Sequence, residues 1–155
     1  MKEIRLILPL CWILVSCQAW NQSKNDNSSK EDKNREIIIS LSKGSCFGSC
    51  PVYEIEIFQN KTLVFHGRSF VDSIGTYEIS IHDSIYNKIL TQSESINFHS
   101  IKEDQYFNAY IRDLPMTKIK IYNHVIYYNE EPNKELLDLE NEISKIAINK
   151  GYIIE

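Results

Sequence analysis

Tyr53, Ile55 and Ile57 alternate with Glu54 and Glu56, and much later Thr117, Ile119 and Ile121 alternate with Lys118 and Lys120. A period of two puts the apolar side chains of such a run on one side and the charges on the other. Strands patterned this way have one face to dry and one to wet, as in an antiparallel sheet covered on a single side.

The remaining elements follow. Ile37-Ile38-Ile39-Ser40-Leu41 is a β-branched run ending at Lys43-Gly44 and reads as a buried strand. Gln59-Asn60-Lys61 is a polar break after which Leu63 to His66 resumes a strand, so a hairpin is expected. Gly75 opens a further stretch with Tyr77, Ile79 and Ile81 on one face. Asp83 or Ser84 is suited to cap a helix carrying Ile85, Ile89 and Leu90 and fading by Ser95. Residues 97–114 have no clean period and read as a loop pinned by Phe98, Tyr106 and Tyr110. Asn123-His124 reads as a turn between two strands. Pro132 suits a first helical turn before the apolar stripe Leu136, Leu139, Ile143, Ile146 and Ala147, which Gly151 should end. Four strands, a helix, two strands and a helix predict an α+β domain, a largely antiparallel sheet of about six strands with two helices.

Upstream, the chain is organised differently. Lys2 and Arg5 precede an unbroken apolar run from Leu6 to Val15. Ten residues at about 1.5 Å each cover roughly half of a hydrocarbon core, so the run is too short to span a bilayer and matches a secretory signal. Leu14-Val15-Ser16-Cys17 resembles the bacterial lipobox, and the resemblance implies cleavage after residue 16 and lipidation (diacylglycerol and palmitate-type acyl chains) at Cys17. Several acyl chains give stable anchoring where one does not. By resemblance to enterobacterial sorting, Gln18 implies the outer membrane, with the membrane face open. Residues 17–34 carry only Ala19 and Trp20 as apolar groups after the anchor and read as a disordered tether, roughly 25 Å in root-mean-square span. The expected organisation is thus a signal peptide at 1–16, a tether at 17–34 and one domain at 35–155.

The formal charge of −4 argues against nucleic acid held by a basic surface. With Cys11 expected to leave with the signal and Cys17 to be lipidated, Cys46 and Cys50 remain as a pair in an exported compartment. Extended chain would set their Cα atoms about 13 Å apart, whereas a disulfide needs roughly 4.4–6.8 Å. A bridge therefore demands a reversal, for which Gly48 offers permissive backbone before Pro51 launches the next strand. Closing so short a loop would add only about 2 kcal/mol.

Cys46-Phe47-Gly48-Ser49-Cys50-Pro51-Val52-Tyr53 resembles the motif of the bacterial domain-of-unknown-function 6438 family, Cys-Phe-Gly-x-Cys-Pro-x-Tyr, at every fixed position. Tyr106 and Asp113-Leu114-Pro115 before a Lys/Ile strand are similar too. Asn60-Lys61 and Asn123-His124 depart from it by lacking the usual glycine. The resemblance implies no activity.

The cysteine pair leaves alternatives open. It reads as a structural disulfide, an exchangeable thiol-redox pair, or two soft ligands for Cu(I) joined by His66, His82, His99 or His124. Val52 to Phe58 alternates as a strand, so the helix dipole that activates thiols in Sco-type copper chaperones is absent. No Gly-x-Ser-x-Gly elbow or phosphate-cradling glycine loop occurs, Glu54 and Glu56 share a solvent face, and Asp113 suits a turn. No catalytic residue, metal or cofactor is called for. The expectation is a membrane-anchored envelope lipoprotein whose domain binds or scaffolds, meeting another envelope protein or a small ligand at the Cys46–Cys50 loop or an open sheet face. Its rival is a thiol-redox or copper-handling protein using the same cysteines. Radiolabelled palmitate is expected to enter the protein in cells, and Cys17→Ala to abolish labelling; unchanged labelling would remove the anchor.

Overall fold

A computed structural model describes residues 35–111 and 113–153. The signal at 1–16, the tether at 17–34 and Cys17 lie outside the described residues. Among the described residues there are six strands and two helices: β1 (Ile37–Lys43), β2 (Val52–Phe58), β3 (Thr62–Ser69), β4 (Gly75–Ser80), α1 (Asp83–Ser95), β5 (Thr117–Ile121), β6 (His124–Tyr128) and α2 (Lys134–Asn149). A 3₁₀ turn at Phe98–Ser100 follows α1. The strands form one sheet in the order β4-β3-β2-β1-β5-β6, every neighbour antiparallel. This is the α+β class that the alternation predicts.

The register stacks the inward side chains into rungs. One runs Ile79, Leu63, Ile57, Ile39 and Ile121; the next runs Tyr77, Phe65, Ile55, Leu41, Ile119 and Ile126. Both helices cover this face: Tyr86 and Ile89 of α1 and Leu136, Leu139, Ile143 and Ala147 of α2 join the same buried cluster. At roughly 1.5–3 kcal/mol for each large aliphatic or aromatic side chain buried, these rungs supply most of the folding drive. On the opposite face Ser40, Ser42, Glu54, Glu56, His66, Lys118 and Lys120 meet solvent, at least in part.

Several boundaries differ from the sequence expectation. His82, not Asp83 or Ser84, caps α1: its Nδ1 accepts from the Ser84 amide at 3.5 Å, while the Asp83 carboxylate pairs with Lys61 at 2.8 Å. Pro132 is buried ahead of α2, whose cap is Asn133, its side chain accepting from the Leu136 amide at 3.1 Å. The β5–β6 turn is Tyr122-Asn123, so His124 opens β6 instead of turning. Lys61 (φ 64) and Tyr122 (φ 52) take the left-handed backbone that glycine usually fills at such turns. In the 97–114 segment, Phe98 is fully buried and Tyr106 bridges Tyr128, but Tyr110 is 96% exposed and pins nothing.

Gly151 (φ 69) does end α2. The Tyr152 amide donates to Ala147 O at 3.0 Å and the Gly151 amide to Ile148 O at 2.8 Å, the paired bonds of a Schellman stop. The chain then lays Tyr152 against Phe65 and Tyr77, ring centroids 5.0 Å apart in each case. Gly67 makes room for the 70–74 loop to lie close on β3. A Cβ there would collide with the Ser73 carbonyl oxygen and lie 2.9 Å from the Phe65 ring. Gly67→Ala is expected to cost about 1–3 kcal/mol in urea unfolding, whereas Gly48→Ala, whose Cβ would meet only Cys46 Sγ at 3.7 Å, should change little. Equal effects would mean that the 70–74 loop yields freely.

Candidate functional site

The ends of the sheet differ in character. At one, Glu36 O accepts from Gln59 N–H and Ile38 O from Tyr122 N–H, so the chain enters the domain beside the β2–β3 and β5–β6 turns. At the other end lie the cysteine loop (44–51), the β3–β4 loop (70–74) and the segment that leads into β5. Among the described residues eight large apolar side chains are exposed, and seven of them belong to this second end: Phe47, Phe70, Ile74, Phe107, Tyr110, Leu114 and Met116.

Cys46 and Cys50 are joined by a disulfide across a Cα separation of 5.7 Å. Gly48 lies outside the left-handed region, so the reversal between the cysteines uses backbone open to any residue. Two main-chain bonds moor the loop: Gly44 N–H to Met116 O at 2.8 Å and Phe47 N–H to Asp113 O at 3.2 Å. Asp113 thus contributes its carbonyl to the loop. Phe47, at 93% exposure, is carried on the bridged turn between these moorings, and Pro51 is exposed where the loop returns to β2.

Beneath the loop the third inward rung changes chemistry. Where the lower rungs hold aliphatic and aromatic groups, this one runs Gly75, Gly67, Tyr53, Lys43, Thr117 and Tyr128. α2 answers it. Lys43 Nζ pairs with Glu140 Oε1 and donates to Thr117 Oγ1 at 2.9 Å; Tyr128 donates to Glu140 Oε2; Tyr53 and Ser144 hydroxyls are 3.2 Å apart. Glu140 is almost fully buried and Lys43 about three-quarters so. Burial pushes the Tyr128 hydroxyl far above the ordinary tyrosine range, reinforced by the Glu140 charge. Burial raises Tyr53 as well, against the opposing Ser144 hydrogen bond. A cavity of about 190 Å³ opens beside this rung, lined by Lys43, Cys50, Pro51, Tyr53, Pro115 and Ile153.

Of the residues singled out in the sequence, Cys46, Phe47, Gly48, Cys50, Pro51 and Tyr53 come together here. Lys43 and Glu140 escaped notice, although spacing marks both: Lys43 is two beyond Leu41, and Glu140 lies four after Leu136 and three before Ile143 on the apolar stripe. The histidines lie elsewhere. His82, His99 and His124 belong to the end opposite the cysteines, His99 and His124 with ring centroids 5.6 Å apart. His66 stands on the open face between Glu56 Oε2 at 3.3 Å and Thr76 Oγ1 at 3.0 Å, a line of three groups that the register of three strands creates. Glu54 pairs with Arg68 at 3.8 Å on that face. Among the described residues no group of three or more histidine, cysteine or acidic side chains could hold a metal ion.

The model of one protein family, described as Domain of unknown function (DUF6438), matches residues 37–147. No curated protein matches the chain.

The raised tyrosines set an alkaline limit. Unfolded tyrosines ionise near pH 10, while Tyr53 and Tyr128 hold their protons in the fold. Their contribution to stability is complete below pH about 10 and is lost as pH climbs toward their folded values. The urea midpoint should fall between pH about 9 and 11. Tyr128→Phe, starting about 1–2 kcal/mol lower for its lost hydrogen bond, should fall less steeply. Parallel slopes would show that Tyr128 does not set the limit.

Proposed function

The chain belongs to the family described as Domain of unknown function (DUF6438), and we propose that this member is a membrane-anchored lipoprotein of the bacterial envelope whose domain docks another envelope protein without catalysis. The observation that carries the reading is the gathering of exposed apolar side chains at the cysteine end, with Phe47 on a disulfide-bridged loop moored to the β5 lead-in. Apolar and aromatic anchors held rigidly cost little ordering on binding, which favours a surface of this kind as an interface.

Arg35 and Glu36 enter the domain at the end opposite the cysteine loop, about one strand length or roughly 23 Å away. A tether from lipidated Cys17 would join the domain at the turn end, leaving the Phe47 end unencumbered by the linker. The open face of the sheet, with its mixed Glu54, Glu56, Lys118 and Lys120, then serves solubility.

Photocrosslinking in cells tests this. A benzophenone amino acid at Phe47 or Leu114 is expected to trap one defined envelope protein, and the same group at Glu78 on β4 to trap none. Equal, diffuse crosslinking at all three positions would sink the docking reading.

A further inference from the structure

We propose that His99 and His124 form a two-imidazole binding site for a divalent transition-metal ion of the zinc and nickel class, at the turn end of the sheet. The site lies at the end opposite Phe47, uses neither cysteine and does not rest on the docking reading. His99 belongs to the 3₁₀ turn Phe98–Ser100, and His124, far along the chain, opens β6. Folding brings their ring centroids to 5.6 Å. Two imidazoles sharing one ion through nitrogen bonds of about 2.0–2.1 Å, at angles of about 90–120°, have centroids about 4.5–5.6 Å apart. The pair stands at the wide end of that range before either ring adjusts.

A second observation is how His124 is held. Its Nε2 lies 2.9 Å from the Ile101 carbonyl oxygen. A carbonyl only accepts, so Nε2 carries the proton, and in the neutral ring the lone pair is left on Nδ1. Metal-binding histidines are oriented in this way, one nitrogen donating to a backbone carbonyl while the other serves the ion. Among the described residues, Nδ1 of His124 and both nitrogens of His99 have no hydrogen-bond partner, and neither ring joins an ion pair. The rings also share a fixed floor. Phe98, fully buried, meets both edge-on, its centroid 6.1 Å from that of His99 and 5.6 Å from that of His124. Rings held this way lose little freedom on chelation. With Tyr122 and Asn123 they line a depression open to solvent, where water can fill the positions that two protein ligands leave. The donor type selects the ion: imidazole nitrogen suits Zn²⁺, Ni²⁺ and Cu²⁺, whereas Mg²⁺ and Ca²⁺ take oxygen.

Zn²⁺ is to be titrated into the full, untagged chain carrying Cys11→Ser and Cys17→Ser, so that no free thiol competes, in a non-coordinating buffer at pH about 7.5. Calorimetry reads the stoichiometry and the histidine ring signals in NMR read the place. One ion per chain is expected to saturate in the micromolar range. The His99 and His124 signals should shift together, at one ion concentration, while that of His66 stays. Ni²⁺ should compete for the site and excess Mg²⁺ should not. His99→Phe keeps a ring against Phe98 and removes only the nitrogens, so it separates chelation from packing. Its affinity is expected to fall about tenfold or more, with the thermal midpoint little changed. His124→Phe, its fold checked by thermal unfolding, should lose affinity likewise, and His66→Phe should not. No saturable binding of Zn²⁺, binding that survives His99→Phe, displacement by Mg²⁺, or His99 and His124 signals that move at different ion concentrations would each overturn the proposal.

Discussion

Two helices can dry only one side of a six-stranded sheet, and the inward positions of every strand are bound by that constraint. From Ile39 onward the alternation of β1 is unbroken, so it continues past the last residue that suits an oily interior. After Ile39 and Leu41 the next inward position is Lys43; its neighbours across the ladder are Tyr53 and Thr117, and beyond Thr117 stands Tyr128. Polar groups delivered to a core by register must find partners there or destabilise it. α2 meets the demand by placing Glu140 and Ser144 on its apolar stripe, and among the described residues no buried side-chain polar atom lacks a partner. The unusual chemistry under the cysteine loop is thus continuous with the ordinary packing below it.

Period-two patterning made the strands legible because it reports burial directly, and the stripe in α2 did the same at helical spacing. What stayed hidden was of another kind. The turn at Tyr122-Asn123 takes left-handed backbone at a bulky residue, which no turn propensity favours. His82 caps α1, and the Asp83 carboxylate is taken up by Lys61, distant in sequence. The rung of Lys43, Tyr53, Thr117 and Tyr128 draws one residue from each of four strands, so no local window contains it. Phe47 was visible as part of a motif, but its exposure depends on moorings to Asp113 and Met116, far along the chain.

The site therefore divides into a part written locally and a part assembled by topology. The disulfide loop needs only two cysteines close in sequence and a chain able to reverse. The charged rung needs the whole sheet and α2 in register. A variant of the loop can alter what the domain presents while leaving its packing intact; a variant of the rung reaches both.

The strand order has a consequence for how the chain reaches this structure. β1 lies in the middle of the sheet, yet its two partners arrive very differently. β2 follows through a short loop, while the contact of Lys43 with Thr117 spans 74 residues. Closing so large a loop is entropically slow compared with forming the β2–β3–β4 meander or the β5–β6 hairpin. Until β5 and α2 dock, β1 is an open edge carrying a charged lysine at its end, and that lysine guards the edge against pairing with other chains. The residue that the finished domain shelters beside its cavity is thus, in the half-made one, its protection against misassembly.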